Sequence, residues 1–381
     1  MNFVFFVHSF VSDWNHGNAH FLRGLMSALA RRGHDVKSYE PRGGWSVANL
    51  IRDHGVAPIA DATRAFAEVE VHDYGPEDAD LEVVLEAAVK DADVVVVHEW
   101  NDPALLGLLA RLRGAGRFLL LFHDTHHRPW SDPEAIARFE LGACDGVLAF
   151  GASLAEVYRA RFGVERVWTF HEAADTEHFR PLERPREQDV IWIGNWGDDE
   201  RSEELRAFWL ESARAHPELR WVAHGVRYPE EALAELAAAG VAFRGWAPSL
   251  QVPELFARSA VTLHVPRRAY VEALPGIPTI RVFEALACGI PLVSAPWQDS
   301  EQLFRPGDFH AVRTPAEMRS ALALYATDPD AREEQAARGL ETILARHTCD
   351  HRAEELLEII SVLGQAGAGA DTPVSREATC V

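Results

Sequence analysis

A chain of 381 residues is long for one hydrophobic core and comfortable for two, and its 48% hydrophobic and 25% charged residues suit a folded globular protein. Its 58 acidic and 37 basic side chains leave a formal net charge of −21. That charge repels phosphate backbones and anionic lipid heads, so nucleic acid is not an expected partner and any bound phosphate needs a local basic pocket.

The N-terminus, MNFVFFVHSF, lacks a basic leader, and its apolar run is too short for a signal segment. No apolar stretch approaches the roughly 20 residues that span a bilayer. Cys144, Cys288, Cys349 and Cys380 form no C-x-x-C pair, which fits free thiols in a reducing compartment. A cytoplasmic protein without a transmembrane segment is expected.

Near-continuous apolar runs at Phe3–His8, Val94–His98, Phe118–Phe122 and Gly146–Phe150 predict buried strands. Between the first two, Phe21, Leu22, Leu25 and Leu29 recur at three-and-four spacing. They predict a helix over His20–Ala30, with Gly33 as its C-cap. Leu105–Leu112 and Pro133–Cys144 read as further helices. Strand and helix in alternation predict a doubly wound α/β sheet.

Pro181, Pro185 and several charges interrupt the periodicity over 178–188, and the pattern then restarts. Strands are expected at Asp189–Gly194, Leu219–His224, Val241–Phe243, Val261–Val265 and Pro291–Ser294, with helices at Glu203–Ala215 and Glu230–Ala239. Two Rossmann-like domains facing across a cleft follow, over residues 1–180 and 181–348. The helices Ala316–Tyr325 and Ala331–His347 complete the second. A last helix within 349–365 is placed to pack back across the cleft. Residues 366–381 are small, polar and Gly/Ala-rich, which predicts disorder.

In open parallel sheets, ligands bind beyond the carboxyl ends of the strands. The most informative segment there is PGIPTIRVFEALACGIPLVS, residues 275–294, a loop running into a helix that ends at Gly289. The backbone N–H groups and positive dipole end of such a helix suit a diphosphate. Glu284, a turn and a half in, is placed to accept from two ribose hydroxyls. Arg281 in the first turn is unfavourable unless an anion offsets it, or unless it pairs with Glu284 at i,i+3 on a surface helix.

Before the first helix, DWNHGN (13–18) carries Gly17 and Asn18 but only one glycine, against the G-x-G-x-x-G of a dinucleotide site. No G-x-S-x-G elbow and no Walker lysine loop occurs. FHDTHHR (122–128) follows a buried strand and places His123 at the cleft. Its H-x-x-H-H spacing also suits a metal, but no second cluster partners it. His98 and Glu99 form another pair at a strand end, and ordinary hydrogen-bonded strand-end roles remain open for these histidines. Asp198–Asp199 reads as a solvated helix start. Trp246 reads as a packing residue, and Trp297 stays open as a stacking platform.

Several segments, in order, resemble the retaining group-1 glycosyltransferases. They are GNAHFLRGLMSALARRGHDV, ACDGVLAFGASLAEVYRARFG, HEAADTEHFRP, VAFRGWAPSLQVPELFARSAVTLHV and RVFEALACGIPLVS. The pairing of TIRVFEALACG with SAPWQDSEQLFRPGD is most similar to the branch related to spore-maturation proteins. The resemblance implies a GT-B fold and retaining transfer from a nucleotide-diphosphate sugar to an acceptor it does not name. Neither cofactor nor metal is implied.

It also implies site roles. His123 would serve the acceptor side, with Gly17, Asn18, His98 and Glu99 beside it. Glu284 would bind the donor, and Arg281 and Arg201 would meet the diphosphate. The family's second Glu is replaced by Gly276, leaving Gly276, Ile277 and Thr279 as backbone donors. The family's usual Arg is replaced by Asn195, with Arg267 and Arg268 as alternative phosphate partners. A nucleotide-sugar epimerase and an inactive sugar- or nucleotide-binding protein are the alternative readings.

Overall fold

The computed structural model describes residues 1–114, 118–197 and 199–370. Seven parallel strands form the first sheet: β1 (Asn2–Phe6), β2 (Asp35–Pro41), β3 (Glu70–Tyr74), β4 (Val94–His98), β5 (Leu119–Asp124), β6 (Gly146–Ala149) and β7 (Val167–Thr169). Their order is β3-β2-β1-β4-β5-β6-β7. The second sheet comprises β8 (Gln188–Ile193), β9 (Trp221–His224), β10 (Val241–Phe243), β11 (Ser259–His264), β12 (Leu292–Ser294) and β13 (His310–Ala311), ordered β10-β9-β8-β11-β12-β13. All pairings in both sheets are parallel.

The reason the central strands are apolar throughout is that helices cover both faces. Along β1, Phe3 and Phe5 join the core beneath helix α1 (Ala19–Arg31). Val4 and Phe6 face the opposite layer with Leu85, Val95 and Leu106. Strands β2 and β3 do not read as apolar runs because they lie toward an edge: burial alternates along DVKSYEP, and EVHDY buries only Tyr74. Helix α2 (Trp45–His54) and a second helix over Ala57–Ala65 link them. The helix expected over Pro133–Cys144 is helical only over Pro133–Ala137, followed by a 3₁₀ turn at Leu141–Ala143.

The chain passes between the halves twice, and the two passages touch. Ala174 N donates to His347 O at 2.9 Å, and Cys349 N donates to Ala174 O at 2.8 Å. After helix α3 (Ile280–Ala287) in the second half, the final helix α4 (Cys349–Ala370) returns to lie on α1. Leu356, Ile360 and Leu363 share one core with Leu22, Leu25 and Leu29. Arg32 Nη2 meets Glu354 at 2.6 Å, and both Arg31 and Arg32 meet Asp350. Gly24 permits the close crossing: a Cβ there would fall 2.6 Å from both Cys349 Sγ and Asp175 Cβ. Residues 366–370, expected to be disordered, continue α4, whereas 371–381 and Asp198 lie outside the described residues. No helix among the described residues is long and apolar enough to cross a membrane. Cys144, Cys288 and Cys349 are free thiols.

Candidate active site

A cavity of about 600 Å³ lies between the carboxyl edges of the two sheets. It is lined from the first half by Gly17 and Asn18, together with His8, Asn15, Trp45, Trp100, Thr125 and His126. The second half contributes Asn195, Arg201, Arg267, Thr279 and Arg281.

The basic wall is built from two loops and the first turn of α3. Arg201 Nη2 donates to the Asn195 carbonyl and side-chain oxygens, both at 2.9 Å, and its Nη1 donates to Val265 O at 3.1 Å. Asn195 therefore aims Arg201 while its own amide donates across the cleft to Asn15 Oδ1 at 3.1 Å. Arg267 is ion-paired with Glu200, whose carboxylate also lies 3.4 Å from His127 Nε2 of the opposite half. Arg281 is paired with Glu284, so the i,i+3 contact open in the sequence is present. The α3 N-terminus faces the same cavity with Thr279 as its N-cap, and no side chain caps it in the usual manner. Thr279 Oγ1 instead lies 3.3 Å from His264 Nε2.

One carboxyl group sits at this helix terminus. Glu172, on the segment after β7, is 2% exposed and lines the cavity with Thr279 and Ile280. Its Oε1 has no partner. Burial, with the nearby Glu284 and Glu99, holds its pKa well above the carboxylate range. A neutral acid here can donate to an anion that a carboxylate would repel.

Other expected site residues lie behind the wall. His123 is 1% exposed and packs edgewise against Phe21 at 5.9 Å and Phe170 at 5.7 Å. The alternation of β5 turns it into the core beneath α1, and Thr125 and His126 reach the cavity instead. His98 Nε2 and Glu99 Oε2 form a buried pair at 2.8 Å. Burial lowers the His98 pKa to about 3 and raises that of Glu99 to about 8, so the pair carries no net charge near neutrality.

Glu284 is likewise buried, with His20 Nδ1 at 3.1 Å, and does not line the cavity. Gly276 N is already bonded to Gln298 O at 2.9 Å, and Ile277 is fully buried in the core. Arg268 points away, to Glu204 at 2.7 Å. Trp246, read as packing, lines the cavity and also packs against His54 in a tilted ring contact at 4.5 Å. Trp297 packs among Phe304, Phe309 and His264 instead. Trp45, Trp100 and Glu172 were missed, although each follows a strand end, where ligands are expected.

Two family models divide the chain at this geometry. Residues 16–178 match the model described as Glycosyltransferase Family 4, and residues 201–358 match the one described as Glycosyl transferase-like. Each half of the chain therefore matches a glycosyltransferase model of its own. No curated protein matches it.

Among solved structures, the chain is similar to a Rickettsia africae glycosyltransferase at 11% identity. That match covers 96% of this chain and 98% of the other, with a TM-score of 0.66. Anabaena HepE in complex with UDP and glucose matches at 14% identity, 95% and 99% coverage and a TM-score of 0.66. Sucrose-phosphate synthase from Thermosynechococcus elongatus matches at 14% identity, 96% and 100% coverage and a TM-score of 0.66. At these identities the likeness is one of fold, the two facing Rossmann-like domains of the GT-B arrangement.

Proposed function

We propose that this protein transfers a sugar, of hexose type, from a nucleoside-diphosphate donor to an acceptor held by the first domain. The observation that carries the reading is the convergence of Arg201, Arg267 and Arg281 with the α3 N-terminus on one wall of the interdomain cavity. Cleavage of the sugar–diphosphate bond builds negative charge on the leaving oxygen. Fixed cations and backbone amides aimed at that charge lower the barrier without needing to reorganise. UDP and glucose in the Anabaena HepE structure support a donor of this chemistry.

In this reading Arg201 and Arg281 stabilise the leaving diphosphate and Arg267 assists them. His126 replaces His123 as the histidine facing the reacting sugar. Retention of anomeric configuration, independence from a metal and kinship with the spore-maturation branch rest on the sequence resemblance. The cytoplasmic setting rests on the four cysteines, which form no C-x-x-C pair and fit a reducing compartment.

The test is a thermal-shift and calorimetric panel of UDP, GDP, TDP and ADP on wild type and Arg267→Ala. A nucleotide at 100 times its dissociation constant stabilises the fold by about 2.7 kcal/mol. Binding that weakens in the variant supports the donor wall. Failure of all four nucleotides to bind wild type refutes the reading.

A further inference from the structure

The arginine wall accounts for one side of the cavity, but two tryptophans opposite it have no role there. Trp45 opens α2 just beyond β2, and Trp100 follows β4. Both line the cavity, and both are exposed, at 48% and 40%. Leaving an indole in water forgoes the burial that large apolar rings usually gain. Neither ring is loose. Trp45 meets Trp14 edge to face at 5.0 Å, and the Arg227 guanidinium lies 5.8 Å from its centre. Trp100 carries the Arg128 guanidinium 3.9 Å above its ring and His126 at its edge, 5.1 Å away. Arg128 is in turn held by the Glu99 carbonyl at 2.5 Å.

Each indole is thus braced by its neighbours while part of its surface stays open to the cavity. A rigid aromatic surface loses little entropy when a ligand settles on it. Around the rings, His8, Asn15 and Asn18 offer short hydrogen-bonding groups. Flat apolar faces rimmed by such groups match a pyranose, whose axial C–H bonds form an apolar patch ringed by hydroxyls. The chain's net charge of −21 argues against a polyanionic acceptor.

We propose that the acceptor is a neutral saccharide whose rings stack on Trp45 and Trp100. The proposal rests on the donor reading above and names the acceptor class for the same cavity.

Saturation-transfer NMR tests it, using chitotriose, cellotriose and maltotriose on the full chain saturated with each of UDP, GDP, TDP and ADP. At least one trisaccharide is expected to receive saturation. Its affinity should fall about tenfold in Trp45→Ala and Trp100→Ala and recover in Trp45→Phe and Trp100→Phe, with nucleotide binding unchanged. No transfer to any trisaccharide while a nucleotide binds overturns the acceptor proposal alone. So does transfer that both alanine variants leave intact, or a loss of nucleotide rather than sugar affinity, which would make the rings a base platform. Absence of nucleotide binding by wild type refutes the donor reading instead.

Discussion

His20 Nδ1 of α1 lies 3.1 Å from Glu284 Oε1 of α3, and both side chains are almost wholly buried. Glu284, which the sequence placed on a ligand ribose, thus joins the two domains. The same imidazole accepts the Asp175 backbone N–H through Nε2 at 2.8 Å, tying the pair to the passage between domains.

Glu284→Ala would leave Arg281 and His20 without their carboxylate in a buried site. Breaking such a pair costs about 3 to 5 kcal/mol. Urea unfolding of Glu284→Ala, His20→Ala and the double variant should give a coupling of about 0.5 to 3 kcal/mol between the sites. Additive effects would show that the contact carries no stability.

Arg267→Ala offers a cleaner probe of the donor wall, because its partner Glu200 is 38% exposed and can be solvated once released. Stability should change by less than about 1 kcal/mol. Loss of a charge-assisted contact to a diphosphate should weaken nucleotide binding by about 10- to 100-fold. Calorimetry showing unchanged affinity would remove Arg267 from the site.

Acid should destabilise the fold more strongly than mild base. Burial lowers His8 and His127 to about 4 and His98 and His264 to about 3. The unfolded chain protonates these groups near 6.5, so below that pH it binds more protons and stability falls as pH drops toward 4. Glu99, raised to about 8, works oppositely, as do Asp124 and Glu172: their stability loss grows as pH climbs from the unfolded carboxylate range toward their folded pKa values. The histidines outnumber these acids, so Tm should rise between about pH 4.5 and 6.5 and decline gently above 7. A Tm higher at pH 5 than at 6.5 would contradict this balance.

Restoring the family's glutamate by Gly276→Glu should not improve activity. Gly276 has φ +90°, a conformation that L side chains rarely adopt, and an added Cβ would lie 2.6 Å from Ser300 Oγ and 2.9 Å from Glu301 Cγ. The variant should lose about 1 to 3 kcal/mol in thermal unfolding. A variant as stable as wild type would show that Ser300 and Glu301 yield easily.

The doubly wound sheets were legible because buried parallel strands such as VVVV carry their signal in every residue. β2 and β3 were not, since half-exposed strands near an edge mix lysine, glutamate and histidine with apolar residues. Arg201, Arg267 and Thr279 line the cavity, as their places in loops near strand ends lead one to expect. His123 and Glu284 were misplaced for a common reason: loop spacing shows nearness to the cleft, but the pleat of a strand or the pitch of a helix decides which neighbour reaches it. The tryptophans carried no motif at all.

The paired backbone at Ala174 and Thr348 restricts how the two halves can move against each other. A single tether would let one domain swivel and twist freely against the other. Two passages bonded side by side behave instead like a door with two pins, leaving one easy axis of swing. Because α4 is anchored to α1, the second passage is held at both ends. The mouth of the cavity should therefore widen by rotation about that axis, and the arginine wall should meet the same face of the first domain at each closure.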